Sequence, residues 1–245
     1  MSQHPTRDPW GKLRSLTKAR IGLGRAGDAE PLAASLAFQL AHARARDAVH
    51  TPFDGHAIAA RLADLKPIAV TSQAADRATY LRRPDLGRLL STSDAPVLQK
   101  GEWDVAFVIA DGLSATGLMA HAVPVLRAAL PKLEGWRVAP PVIAQQARVA
   151  LGDDIGNRLG AKMVVVLIGE RPGLSAADSL GIYLTWAPKV GRNDAERNCL
   201  SNIHPPDGMG YEAAASRLVW LMHAARKRQV TGIELKDEGE TLALE

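Results

Sequence analysis

Apolar positions follow two different rules along this chain. Before about residue 95 they recur at helical spacing or without pattern; from Trp103 onward, short apolar runs alternate with amphipathic stretches. "PLAASLAFQLAHARARDAVH" opens on Pro31, suited to a helix's first turn, and sets Leu32, Leu36, Leu40 and Ala43 on one face, which predicts a helix over 31–49. Asp54 is placed to cap a second helix over "HAIAARLADL", and Asp85 a short third over "LGRLL". The first thirty residues are polar and lack sustained periodicity, so they are expected to lie as an arm on another surface. Residues 1–95 are thus expected to form a mostly helical N-terminal region, and 96–245 a second domain built on a sheet.

In that second part, residues 103–110 are a nearly continuous apolar run that ends at Asp111-Gly112 and is followed by a helical pattern. "PPVIAQQARVALGDDIGNRLG" combines a strand candidate with a short helix near 152–159. In "KMVVVLIGE", Val164 to Ile168 are bulky and mostly β-branched, as a central parallel strand requires. "SLGIYLTW" reads as a further strand, and "YEAAASRLVWLMHAARKR" as a closing helix with Leu218, Leu221, Met222 and Ala225 inward. Strands alternating with helices predict an α/β fold, a Rossmann-like open sheet flanked by helices. Ligands of such sheets bind outside the carboxyl ends of the strands. Three loops qualify: "ADGLSATG", "GERPGLSAAD" and "GRNDAERNCLSNI".

Composition narrows the classes. A chain of 245 residues with 47% hydrophobic and 23% charged residues can bury a full core without disulfides or zinc. The lone cysteine, Cys199, cannot form an intramolecular disulfide, no apolar window approaches the length of a membrane span, and the N-terminus has no signal-like apolar region. A cytoplasmic protein without membrane attachment is expected. The net charge of +4 and the basic run from Lys12 to Arg25 raise nucleic acid as a partner. The aromatics are not interleaved with the basic residues as base stacking would require, so a solvated or subunit-facing segment is the expectation instead.

Several motifs weaken on inspection. "GLGRAG", Gly22 to Gly27, matches G-x-G-x-x-G but follows basic "RSLTKAR" rather than an apolar strand, and Pro31 delays the helix, so no dinucleotide site is expected. His42 and His50 lack metal-ligand spacing, and no metal site is expected. Ser114 in "DGLSA" is not in a nucleophile elbow; the reading preferred is a helix N-terminus offering amides and a hydroxyl to a polar ligand. Glu170 surfaces beside Arg171 where a buried strand ends, either to pair with a surface cation or to meet a ligand's donors. Cys199, between charged "DAER" and polar "SNI", is poorly placed as apolar filler.

At "VIADGLSA", "ARVALGDDIG", "LIGERPGLSAADSLGIYLT" and "GRNDAERNCLSNI" the chain closely resembles the small (light) subunit of ethanolamine ammonia-lyase. The resemblance extends to "LTKARIGLGRAG" and "LAFQLAHARARDAVH" near the N-terminus and "TGIELKD" near the C-terminus. It implies an adenosylcobalamin-dependent, radical conversion of ethanolamine to acetaldehyde and ammonia. The large subunit would carry the barrel and the catalytic residues, and this subunit would cap it, in an assembly of six copies of each. Carried over by position, the cofactor contacts fall on Val149, Glu170 and Cys199. The resemblance also implies that the cofactor keeps its own base on cobalt, in keeping with the lack of a D-x-H-x-x-G stretch, and that some relatives work inside a bacterial microcompartment. A stand-alone nucleotide-binding α/β protein is the alternative, distinguished by having no large-subunit partner.

Overall fold

The structure, a computed structural model, describes residues 8–237. Among these, six strands form one open sheet: β1 (Ile68–Thr71), β2 (Trp103–Ala110), β3 (Val142–Gln145), β4 (Ala161–Gly169), β5 (Leu180–Trp186) and β6 (Asn198–Ile203), in the order β1-β3-β2-β4-β5-β6. The helices are α1 (Gly11–Arg14), α2 (Leu32–His50), α3 (Gly55–Arg61), α4 (Arg77–Arg82), α5 (Ala115–Ala129), α6 (Leu151–Leu159) and α7 (Tyr211–Arg228). The expected α/β architecture, an open sheet flanked by helices with a partly helical N-terminal region, is what the chain adopts.

The long apolar runs are explained by burial on both faces. Phe107, Ile109, Val165 and Leu167 point to one side, where α5 and α7 pack. Ala106, Val108, Val164 and Val166 alternate to the other, against Leu151, Ile155 and Leu159 of α6. A strand covered on both sides has no polar face to alternate with, so its sequence reads as continuously apolar.

β1, β3, β2 and β4 run parallel, whereas β5 and β6 are antiparallel. β4 is therefore central but parallel on one side only: Val165 stands opposite Phe107 in β2 and opposite Leu184 in β5. The physical reason lies in residues 170–179, a connection without a helix, which can reverse the chain but cannot carry it over the sheet to a parallel start. The segment "GRNDAERNCLSNI", expected to be a loop, is half strand. β6 occupies the sheet edge with only Leu200 and Ile203 buried, so its apolar signal is thin. β1, likewise an edge strand, comes from the region expected to be mostly helical.

Helix α2 forms where expected, and Asp54 caps α3 by accepting from Ala57 N at 2.9 Å. "LGRLL" does not become an α-helix: only a 3-10 turn at Leu86–Arg88 forms, and Asp85 bonds Arg83 instead of capping. Leu90 is drawn off to bridge Ser72 beyond β1. The apolar face predicted for α2 exists but is not covered by this chain; Leu32, Leu36 and Leu40 are 71%, 54% and 53% exposed, and Ala48 alone in the helix is buried.

His121 joins α5 to α7 by sharing a hydrogen bond between its Nδ1 and the Tyr211 hydroxyl at 2.9 Å, while its Nε2 is buried without a partner. Burial holds its pKa below the ordinary value, the Asp178 charge opposing and His204 adding to the drop. The unfolded chain takes up a proton below about pH 6.5 and the native one does not, so stability is expected to fall as pH drops below 6.5 and to level off below the depressed native pKa, by at most about 1.4 kcal/mol per pH unit. Urea unfolding at pH 7 and pH 5 checks this. His121→Gln should flatten the pH dependence, and an unchanged slope would remove His121 as its source.

Candidate functional site

The carboxyl ends of β2, β3 and β4 meet where the chain changes direction across the sheet. From β2 it moves to β3 on one side, then crosses to β4 on the other, leaving a crevice between β2 and β4. Asp111 sits beneath that crevice. Its Oδ1 accepts from Gly112 N at 3.0 Å and from Ala147 N at 2.8 Å, tying the loop after β2 to the loop after β3. Burial pushes the Asp111 carboxyl up, opposed by the amides of Ala147, Gln146 and Gly112 and by the guanidinium of Arg77, 3.6 Å away. Arg77 extends the tie, donating to Gly112 O at 2.8 Å and to Val49 O at 2.7 Å and 2.9 Å. Leu113 N donates to Gly169 O at 3.0 Å, so the β2 and β4 loops touch through backbone. Gly112, at φ +60°, adopts a left-handed conformation, and a side chain there would strike the Gly169 carbonyl.

Over this base opens a cavity of about 400 Å³, lined by Leu113, Arg148, Val149, Glu170, Arg171 and Tyr183 among others. Val149 follows β3 and is half-buried against the apolar layer under α6. Glu170 continues β4: its N donates to Ser179 O at 3.0 Å, and its Oε2 accepts from Asn202 N, in β6, at 3.1 Å. Gly181 leaves room for this carboxylate, since a Cβ there would lie 3.0 Å from Oε1. Among the described residues Glu170 forms no ion pair, with Arg171 or any other cation, and Oε1 accepts no hydrogen bond. The carboxylate is therefore steered by backbone and keeps acceptor capacity.

Cys199 lies outside this lining but adjoins it, standing opposite Tyr183 in the β5–β6 register. The residue as a whole is exposed, yet protein packed around the sulfur pushes the thiol's pKa up; the Glu170 charge adds to the rise and the Tyr183 hydroxyl opposes it. At neutral pH it is a small, uncharged, polarizable wall rather than a thiolate. The fold thus brings Val149 and Glu170 into one cavity and sets Cys199 beside it, although the three come from separate parts of the sequence.

The other motifs resolve differently. Ser114 is fully buried; its Oγ accepts from Gly117 N at 3.2 Å and donates to Ala177 O at 2.9 Å, so the hydroxyl caps α5 and is not offered to a ligand. Gly22 to Gly27 lie in the arm, with no strand before them among the described residues. His42 stacks near Phe38 on α2, and no cluster of three His, Cys, Asp or Glu able to hold a metal forms among the described residues. None of the described helices is long and apolar enough to cross a membrane.

Residues 7–236 match the family model for the ethanolamine ammonia-lyase light chain (EutC). The chain belongs to this family. The "Ethanolamine ammonia-lyase small subunit" of Azotobacter vinelandii is 52% identical over 250 residues, covering 98% of this chain and 92% of the relative. Those of Pseudomonas syringae pv. tomato and Rhodococcus erythropolis, with the same description, are 53% identical over 248 residues and 49% over 255, covering 97% and 99% of this chain and 86% and 98% of the relatives. Membership in the light-chain family thus takes in the arm, α2 and the whole sheet. It covers Arg148, Tyr80, Arg77 and Asp111 as well, which sequence patterning did not single out. Their signal was weak: Arg148 precedes Val149 in "ARVALGD", and Tyr80 sits in a helix too short to show a period.

Proposed function

We propose that this chain is the cofactor-capping small subunit of an adenosylcobalamin-dependent ethanolamine ammonia-lyase, which converts ethanolamine to acetaldehyde and ammonia only when joined to its large subunit, in a six-plus-six assembly. The observation that carries the reading is the convergence of Val149 and Glu170 in one cavity at the β2–β4 crevice, in a chain of the light-chain family. The donor set fits a corrinoid. Its rim bears amides that donate hydrogen bonds, and Glu170 presents an acceptor oxygen with no internal partner. Val149 offers apolar contact, and the protonated Cys199 a neutral wall beside it.

Bound adenosylcobalamin supplies the radical chemistry of its cobalt–carbon bond; the residues of this chain position it and exclude water. Catalytic residues are assigned to the large subunit and none to this chain. The open mouth of the cavity suits a group shared between two subunits, and the uncovered apolar face of α2 supplies a surface for the partner.

Co-expression with the large subunit, followed by ethanolamine deamination with and without adenosylcobalamin, tests the reading. Activity is expected only when both subunits and the cofactor are present. Glu170→Ala should raise the cofactor concentration needed about 10- to 100-fold, the loss of one hydrogen bond to a charged group at roughly 1.5–3 kcal/mol. An assembled, cofactor-loaded complex without activity would overturn the enzyme reading.

A further inference from the structure

Arg148 stands at the junction of three cavities. It lines the 400 Å³ cavity with Glu170, a neighbouring one of about 470 Å³ reaching α2, and another of about 590 Å³ bounded by Asp85, Arg88, Arg192 and Asp194. Nearby arginines are neutralised: Arg77 faces Asp111, Arg158 pairs with Asp154, Arg192 with Glu196 and Arg197 with Asp153. Arg148 has no carboxylate partner among the described residues. Of its five N–H donors, the guanidinium uses one, from Nη2 to Tyr80 O at 3.2 Å, and its Nε is buried with no partner.

The side chain is nonetheless held in place. Its guanidinium lies 4.2 Å above the Tyr80 ring, Arg148 N donates to Gly87 O at 2.8 Å, and Gly87 makes room for its stem, since a Cβ there would come within 2.9 Å of Cγ. A fixed, half-buried cation without a counterion carries a desolvation cost that an arriving anion would offset. Arg171, exposed and also without an ion-pair partner among the described residues, adds positive potential along the 400 and 470 Å³ cavities, whereas in the third cavity Asp85 and Asp194 offset Arg88.

We propose that Arg148 receives the phosphodiester of the cofactor's nucleotide tail, while Glu170 meets the amides of the corrin rim; this rests on the adenosylcobalamin reading above. A guanidinium fork matches the geometry of phosphate oxygens, and a ligand with neutral amide donors at one end and one fixed negative charge at the other matches a cavity with an acceptor and an uncompensated cation.

The test is equilibrium binding, read by absorbance titration on the complex assembled with the large subunit, of adenosylcobalamin and of a corrinoid truncated before the phosphodiester. Arg148→Gln should weaken adenosylcobalamin about 10- to 100-fold and change the truncated corrinoid less than about twofold. Arg148→Lys, which keeps the charge and loses the fork, should fall between and guards against a glutamine variant that fails to assemble. Equal weakening of both corrinoids, or no weakening of either, would overturn the proposal. Inorganic phosphate that binds together with intact cofactor, and is lost in Arg148→Gln, would also overturn it, because the site would then serve a free anion. A wild-type complex that binds neither corrinoid would remove the cofactor reading itself, whereas one that binds both with the same affinity would remove only the role of the phosphodiester.

Discussion

Replacing Arg197 with alanine is expected to cost about 3–5 kcal/mol of stability, the range for removing one partner of a buried ion pair. Its Nη1 and Nη2 donate to the two oxygens of Asp153, each at 2.7 Å, and both side chains are 1% exposed. Further bonds run from Nη1 to Thr185 Oγ1 at 2.9 Å and from Nη2 to Arg192 O at 3.0 Å. One guanidinium thereby joins the first turn of α6, the end of β5 and the entry to β6. Without it the Asp153 carboxylate would stay buried and unpaired, and that penalty is larger than the net worth of the pair. The double variant Asp153→Leu, Arg197→Met should recover much of the loss, since apolar side chains of similar size leave no uncompensated charge. Urea unfolding of the single and double variants decides it; a single variant losing under about 1 kcal/mol would show that the site relaxes and admits water.

Gly169→Ala carries the second large effect. A methyl group at this position would run into the Ser114 carbonyl and approach Asp111 O to 2.8 Å, both of them backbone atoms that no rotamer change can withdraw. The β2 and β4 loops would have to part, at a cost toward the upper end of about 1–3 kcal/mol for forced overpacking. The same displacement moves Glu170, one residue on, so under the adenosylcobalamin reading proposed above cofactor affinity should fall along with stability. Gly11→Ala, whose methyl would meet open space, is the control and should stay within about 0.5 kcal/mol. If Gly169→Ala melted normally and bound adenosylcobalamin normally, the tight approach of the two loops would have no bearing on the site.

Legibility in the sequence followed the physics of each element. β2 and β4 were plain because burial on two faces leaves an unbroken apolar run, and α2 because its leucines recur at helical spacing. The same spacing could not tell whether this chain or another covers that face. β1 and β6 escaped notice because edge strands bury few side chains, and the antiparallel turn into β5 depends on how residues 170–179 fold back, which composition does not encode. Glu170 was recognisable as a carboxylate at a strand end, but its steering by Asn202 N joins residues 32 positions apart. Asp111 looked like part of a turn; its role as a buried tie between two loops exists only in three dimensions. Val149, Glu170 and Cys199 were named through family resemblance, and no periodicity would have chosen them.

The bare face of α2 also bears on how the cell must make this protein. Leu32, Leu36 and Leu40 are each between 53% and 71% exposed on one side of the helix. Copies synthesised ahead of the partner would carry an adhesive strip and collect on one another or on chaperones. If the large subunit covers this face as proposed, its supply sets how much of the small one survives in soluble form. Balanced translation of the two messages would then be a requirement written into a single helix, and overproducing this chain alone should yield aggregate that co-production of its partner prevents.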